Sequence, residues 1–196
     1  LRADIEFDGA LMDPRLADQF LAQSDMEIPA FDIKGTARAN GLQYGADFTL
    51  RSTAGDVAAN GHVALTPETY NVDASIHELN VAKFMPSLGI GRVTGTVQAA
   101  GRGFNPVSGH ALTDAKVRID GIEYQKHHYR DIRLDAMLDP DGRLTIVGGS
   151  VNPGLNFDID GSGIIRTDDY NVDLRADIRD LDLRQLGFTD SMCQGS

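Results

Sequence analysis

Apolar and polar residues alternate through most of this chain, which is the pattern of β-strands with one dry face and one wet face. In the clearest run, Leu155, Phe157 and Ile159 share one face, and Asn156 and Asp158 share the other. Similar runs extend over residues 31–39, 42–52, 57–66, 70–79, 93–99, 115–119, 129–138, 143–151 and 170–178. The pattern predicts ten or eleven strands, and therefore an all-β fold that is mostly an antiparallel meander.

Turn-forming residues separate these runs. Asn40-Gly41, Asp120-Gly121, Asp139 to Gly142 and Asn152 to Gly154 are typical of hairpin turns. Thr167 to Asp169 predicts one more. Asn60-Gly61 is compatible either with a turn or with a bulge inside a strand.

The alternation leaves open how the dry face is covered. Many of its members are small, as in Gly35-Ala37-Ala39 and Gly95-Val97-Ala99. Small residues let a sheet curve tightly or let another molecule approach its backbone. The sequence is therefore compatible with a single curled sheet that forms a trough, and with an ordinary closed sandwich.

Two or three short helices are expected between the strands. Asp13-Pro14 predicts a helix over Arg15 to Ala22, because Asp is a good N-cap and Pro is tolerated in the first turn. Asn80 and Pro86 flank a second predicted helix, Val81 to Met85. Similarity to that junction predicts a third near Leu183 to Leu186.

The chain also repeats itself. Tyr70-Asn71-Val72-Asp73 recurs at residues 170–173, and the pentapeptide Leu1 to Ile5 recurs at 174–178. Internal repetition indicates an array of units that bury their apolar faces against one another. We predict a partial β unit over 1–69, a second over 70–169, and the start of a third over 170–196. The chain is then expected to be a piece of a longer protein.

Charge and composition exclude several functions. The formal net charge is -11, which disfavours nucleic acid and anionic membrane surfaces as partners. There is no apolar run of about 18 residues that could span a bilayer. Cys193 is the only cysteine, so no internal disulfide is expected.

We find no motif that points to a catalytic or cofactor site, and we predict no enzyme, no cofactor and no metal. His127 and His128 are neighbours in a predicted strand and point to opposite faces, so they cannot easily share an ion. Asp139 and Asp141 lie in a sequence typical of a plain hairpin turn, and a calcium loop that included Asp168 and Asp169 is the less favoured alternative. Ser and His occur without a nucleophile-elbow motif.

One stretch resembles a known family. Residues 78–86 read Glu-Leu-Asn-Val-Ala-Lys-Phe-Met-Pro, and residues 91–106 form a glycine-spaced strand that ends in Gly-Arg-Gly-Phe-Asn-Pro. This order, and phrases such as Phe157-Asp158-Ile159-Asp160-Gly161, resemble the AsmA-like and TamB-like envelope proteins of Gram-negative bacteria, which include the translocation and assembly module. The resemblance covers most of the chain. It lies in the recurring type of strand sequence and its spacing, and not in a diagnostic motif.

The resemblance implies a periplasmic protein that is anchored in the inner membrane by a helix outside this sequence. It implies an apolar β-groove that carries phospholipid acyl chains towards the outer membrane. The other role implied is assistance to the assembly and secretion of outer-membrane β-barrel proteins. The residues expected to face the lipid are Val93, Val97, Leu144, Ile146, Leu155, Phe157, Ile159, Ile165, Tyr170, Val172, Leu174 and Ile178.

Two other functions remain open from the sequence. The first is an extracellular or periplasmic β-sandwich for binding or adhesion, which predicts exposed aromatic residues on loops. The chain offers mainly Phe104 and Tyr129 for that purpose, and no Trp. The second is a structural spacer, which predicts tightly sealed cores.

Overall fold

A computed structural model describes residues 2–9, 31–166 and 170–186. These residues form twelve strands and two single turns of 3₁₀ helix. The strands are β1 Arg2–Asp8, β2 Phe31–Asn40, β3 Gln43–Ser52, β4 Gly55–Leu65, β5 Glu68–Asn80, β6 Ile90–Arg102, β7 Leu112–Tyr124, β8 His127–Tyr129, β9 Ile132–Leu138, β10 Arg143–Asn152, β11 Leu155–Ile165 and β12 Tyr170–Leu181. The 3₁₀ turns are Val81–Lys83 and Pro86–Leu88.

All twelve strands belong to one antiparallel sheet in which sequence neighbours lie side by side. The order is β1 to β7 and then β9 to β12, and the short β8 pairs only with β7. The predictions of an all-β fold and of an antiparallel meander are thus confirmed. Turn chemistry supports this order: Gly41 and Gly154 adopt positive φ angles of 61° and 73° in two hairpins, a conformation that glycine tolerates.

The sheet is a single uncurled layer. In the described part of the chain, substantial contacts between strands are confined to neighbours in the sheet. A sandwich would bring the faces of two sheets together, and a curled sheet would bring distant strands towards each other. Neither arrangement is seen, so the trough and the sandwich left open by the sequence both give way to a single uncurled sheet.

The helices differ from the expectation. Val81 to Met85 contains one 3₁₀ turn rather than an α-helix, and Pro86 begins a second 3₁₀ turn. Residues 183–186 form a hydrogen-bonded turn and not a helix. Each segment is too short for the cooperative hydrogen bonding that stabilises an α-helix. The predicted helix over Arg15 to Ala22 lies outside the described residues.

Three strand assignments also need correction. The N-terminal residues form β1, which the alternation did not single out. The run over 129–138 is split into β8 and β9, because Asp131 adopts a φ of 53° that interrupts the strand. Asp120-Gly121 is not a turn but lies inside β7, where the register with β6 shifts and leaves Asp120 as the extra residue of a bulge. Asn60-Gly61 lies within β4. The turn predicted at Thr167 to Asp169 is outside the described residues.

The repeat is present in the structure with a changed register. In the first copy Val57 pairs with Ile76, and in the second Phe157 pairs with Ile178. The offset is therefore 100 residues for β4 and β11 but 102 residues for β5 and β12. The repeated tetrapeptide itself is shifted by two residues relative to the neighbouring strand, because Tyr70 pairs with Val63 whereas Tyr170 pairs with Ile165 and not with Gly163. The sheet continues without interruption across residues 69 and 70, so the unit boundaries stay a prediction.

Few side chains in the described ranges are buried. The buried apolar residues are Ala54, Ala64, Ala111, Tyr129 and Leu138. All but Tyr129 and Leu138 are alanines, so no large core lies on either face of the sheet. None of the helical segments in these ranges has the length and hydrophobicity that crossing a membrane requires.

Candidate binding face

One face of the sheet is apolar from its first strand to its last. Antiparallel partners project their side chains to the same side, so the pairings can be followed across the sheet as rows. One row consists of Ile5, Ala37, Ala46, Gly61, Val72, Ala99, Ala115, Ala136, Ile146, Gly161 and Leu174. Every member is apolar or glycine. We call the surface that contains this row the apolar face.

The next row on the same side repeats the pattern. Its members are Phe7, Gly35, Phe48, Ala59, Ala74, Val97, Val117, Leu134, Gly148, Ile159 and Ala176. With strands about 4.8 Å apart, ten intervals make these rows about 50 Å long. Neither row offers a side-chain hydrogen-bond donor or acceptor along that length.

The opposite face is polar and rich in ion pairs. The row next to Ile146 on that side contains Glu6, Thr36, Asp47, Asn60, Asp73, Gln98, Lys116, Asp135, Val147, Asp160 and Arg175. Arg118 and Asp135 form a salt bridge of 2.7 Å across neighbouring strands. The hydrogen bond from Lys34 to Asp8, followed by the charge of Asp8, raises the pKa of Lys34. This face suits contact with water.

The apolar face is partly open to solvent because no second layer lies on it in the described residues. Val97, Leu134 and Val72 are 36%, 40% and 38% exposed in the interior of the sheet. Near the β12 edge, Leu174 and Ile178 reach 61% and 55%. A continuous exposed apolar surface of this extent is unusual for a soluble protein and marks a contact site.

The predicted lipid-facing residues lie on this face. The pairings assign Val93, Val97, Leu144, Ile146, Leu155, Phe157, Ile159, Ile165, Val172, Leu174 and Ile178 to it. Tyr170 is in register with Ile165. The structure therefore brings these eleven predicted residues to one side of the sheet, and their role as a lipid contact stays a prediction.

The sequence prediction missed the part of the face contributed by β1 to β5, β7 and β9. Phe48, Val72 and Val117 are in register with the predicted residues. Their strands do alternate, but alanine and glycine occupy so many of the positions on the apolar face that the hydrophobic pattern is weak. Following the period of two through those small residues would have found them.

Tyr70 and Phe104 lie at one margin of the apolar face. The phenol of Tyr70 reaches Thr113 on β7, with 2.6 Å between the two oxygens, and the ring centroids of Tyr70 and Phe104 are 6.3 Å apart. At the opposite margin the segment after β5 turns back onto a hairpin, because the Asn80 amide donates to the Ala54 carbonyl. The Lys83 ammonium donates to the carbonyl of Thr53 in that hairpin.

Tyr129 is a buried phenol at the same margin as Asn80. It is 2% exposed, and its hydroxyl has no hydrogen-bond partner in the part of the chain that the structure describes. Burial, and then the charge of Asp182, raise the pKa of Tyr129. The neighbouring Tyr124 hydroxyl is 3.4 Å from the Leu186 carbonyl, which ties the end of β7 to the segment after β12.

The described residues contain no cluster of three or more His, Cys, Asp or Glu side chains that could hold a metal ion. His127 and His128 are both exposed on β8. Asp141 accepts a hydrogen bond from the Arg143 amide within its hairpin. The absence of enzymatic activity stays a prediction.

Comparison with known proteins gives no relative. No protein-family model, no curated protein and no solved structure matches this chain. The functional argument therefore depends on the apolar face itself.

Proposed function

We propose that this chain is a lipid-handling segment of a Gram-negative envelope protein, and that its apolar face holds phospholipid acyl chains. The observation that carries the proposal is the pair of rows about 50 Å long that contain no polar side chain. The hydrocarbon layer of one bilayer leaflet is about 15 Å thick, so several acyl chains would fit side by side along the face.

Acyl chains suit the composition of this face better than a folded protein partner does. Protein interfaces concentrate their binding energy in Trp, Tyr and Arg anchors that fill pockets. The two rows contain only Phe7 and Phe48 as aromatic members, and no Arg. An acyl chain requires no hydrogen bonds and gains free energy from apolar contact alone, at about 25 cal/mol per Å² removed from water.

The location of the protein is part of the proposal and rests on the resemblance to AsmA-like and TamB-like proteins. In this proposal the sheet stands in the periplasm, an anchor in the inner membrane holds the protein, and repeated units bridge towards the outer membrane. The polar face would keep the array in solution. Unfolded strands of outer-membrane β-barrel proteins are a second candidate occupant, because such strands also present alternating apolar residues.

The two other functions have less support. An adhesion module needs exposed aromatic residues, and of the two candidates Phe104 is 46% exposed whereas Tyr129 is buried. A structural spacer needs sealed cores, and the apolar face of the described residues is open. These observations favour the lipid-handling proposal over both.

A photocrosslinking experiment tests the proposal at two neighbouring positions. Ile146 is on the apolar face, and Val147, which is 44% exposed, is on the polar face. We would introduce p-benzoylphenylalanine at each position, export the chain to the periplasm of a Gram-negative host, irradiate the cells and analyse the adducts by mass spectrometry. We expect phospholipid adducts from position 146 and none from position 147.

Three outcomes would count against the proposal. Equal lipid adducts at both positions would indicate non-specific contact with membranes. Adducts of outer-membrane β-barrel proteins at position 146 would favour the second occupant. No adduct at position 146, in a variant whose circular dichroism matches that of the natural chain, would reject an open apolar site.

A further inference from the structure

Strand β12 is an edge of the sheet in the described residues. It pairs with β11 on one side, and no described strand lies on its other side. It is twelve residues long, and residues 171–181 are all exposed. A long unprotected edge of this kind is a template for another strand, because its outward N–H and C=O groups lack sheet partners.

The hairpins that precede β5 and β12 have the same length, since β3 and β4 correspond to β10 and β11 with every strand bound shifted by 100 residues. Each also contains a serine whose hydroxyl bonds its turn. In the first, the Ser52 hydroxyl donates to the Gly55 carbonyl and accepts from the Ala54 amide. In the second, the Ser150 hydroxyl donates to the Leu155 carbonyl and accepts from the Asn152 amide. The two serines are not equivalent, because Ser150 lies two residues before the end of its strand. It is the closing pairs, Ser52 with Gly55 and Asn152 with Leu155, that superimpose the two hairpins with an offset of 100 residues.

The strands β5 and β12 end in the same way on these hairpins. The Asn80 amide donates to the Ala54 carbonyl at 2.6 Å, and the Asp182 amide donates to the Gly154 carbonyl at 3.0 Å. Asn80 and Asp182 differ by 102 residues, which is the offset that the pairings give between residues 68–76 of β5 and residues 170–178 of β12. Strand β12 therefore stands where β5 stands in the preceding copy.

In the first copy, the edge of β5 that corresponds to the free edge of β12 pairs with β6. Val72 pairs with Ala99, Ala74 with Val97 and Ile76 with Gly95. The 102-residue offset maps Val72, Ala74 and Ile76 onto Leu174, Ala176 and Ile178, which are also apolar. A strand like β6 would therefore meet similar apolar side chains on β12 and on β5.

We propose that the free edge of β12 is a docking site for an antiparallel strand of the β6 type. Such a strand alternates Gly, Ala or Val with polar residues, and it would place its small residues on the apolar face beside Leu174 and Ile178. The inference rests on the structural repeat and not on the lipid proposal, so either can fail without the other. Its consequence is that the apolar face extends by another strand.

A graft tests this docking site. The 102-residue offset places Leu186 at the position of Phe84, so residues 85–102 are fused directly after Leu186 in place of residues 187–196. We expect the backbone amides of residues 172–181 to exchange with deuterium about tenfold more slowly in the graft than in the natural chain, since sheet hydrogen bonds protect amides. The control graft carries Val97→Pro in the added copy, which interrupts a strand.

Crosslinking then tests the register. Leu174→Cys combined with Ala99→Cys in the added copy should form a disulfide, whereas Ala176→Cys with the same partner should not, because that pair lies one step out of register. Unchanged exchange in the graft would overturn the proposal. Preferred crosslinking of the Ala176 pair would overturn it too, and so would equal protection of β12 in the natural chain and in both grafts.

Discussion

The phenol oxygen of Tyr70 lies 2.6 Å from the hydroxyl oxygen of Thr113, although strand β6 separates their strands. The ring can cross β6 because Gly101 lies beneath it. A Cβ atom on Gly101 would lie 2.5 Å from the Tyr70 oxygen and would also collide with the Leu112 carbonyl. The absence of a side chain at Gly101 thus fixes where Tyr70 lies at the margin of the apolar face.

Replacing Gly101 should be costly. We expect Gly101→Ala to lower the free energy of unfolding by about 1–3 kcal/mol, because the new methyl group must displace Tyr70 or separate two strands. Gly45→Ala is the matched control, since its Cβ would meet no atom closer than 3.6 Å. Urea unfolding followed by circular dichroism measures both. Equal stability losses in the two variants would contradict this account of Gly101.

The hydrogen bond between Tyr70 and Thr113 has its own prediction. We expect Tyr70→Phe and Thr113→Val each to cost about 1 kcal/mol, which is typical of a single neutral hydrogen bond. If the two hydroxyls act on each other, the double variant should cost less than the sum of the two single losses. Urea unfolding of the four proteins in the cycle gives the coupling energy. A coupling energy of zero would mean that water replaces the bond without loss.

Tyr129 predicts a loss of stability at alkaline pH. Its folded-state pKa is raised, mainly by burial, so the folded protein holds the phenolic proton more tightly than the unfolded chain does. Stability from this group is complete below the unfolded pKa of about 10 and is lost as the pH rises through the folded pKa. We expect Tyr129→Phe to flatten the fall in unfolding free energy above about pH 10.

The same variant should do no harm at neutral pH. The Tyr129 hydroxyl is buried, and no described residue bonds it, so its removal costs no hydrogen bond and relieves a desolvated polar group. Tyr44→Phe serves as the control because Tyr44 is 44% exposed. Thermal unfolding from pH 7 to pH 11 measures both variants. A parallel alkaline fall in Tyr129→Phe and in the natural chain would contradict the prediction.

The sequence was sufficient for the class of fold because the period of two is a local property. Strands such as β11 carry strong alternation, from Leu155 to Ile165, and the turn residues at Asn40-Gly41 and Asn152 to Gly154 separate strands as predicted. Asp120-Gly121 misled for a physical reason, since the same dipeptide suits a bulge within a strand as well as a hairpin.

The sequence did not allow us to predict whether another layer covers the apolar face. Alternation gives each strand a dry side, but it is the same for a sandwich, a trough and a single uncurled sheet. The choice depends on contacts between strands far apart in sequence, and those have no local signature. The register of the repeat had the same limit: Tyr70 and Tyr170 share a tetrapeptide but occupy different steps against β4 and β11.

The turns after β5 and β12 should respond differently to loss of their polar residue. Asp182 accepts hydrogen bonds from the amides of Arg184 at 2.9 Å and Gln185 at 3.3 Å, as an N-cap residue does. Asn80 makes no such side-chain bond, and its buried Oδ1 has no partner among the described residues. We expect Asp182→Ala to cost about 1 kcal/mol and Asn80→Ala to change stability by less than about half as much.

Asp182→Asn separates the hydrogen bonds of Asp182 from its charge. The amide oxygen can still accept from both backbone amides, so stability at pH 7 should remain within about 0.5 kcal/mol of the natural chain. Because the charge of Asp182 helps to raise the pKa of Tyr129, the same variant should move the tyrosinate absorbance of that residue to lower pH. Equal losses at Asp182→Ala and Asn80→Ala would show that the two turns, which occupy the same step of the repeat, are stabilised by their backbones alone.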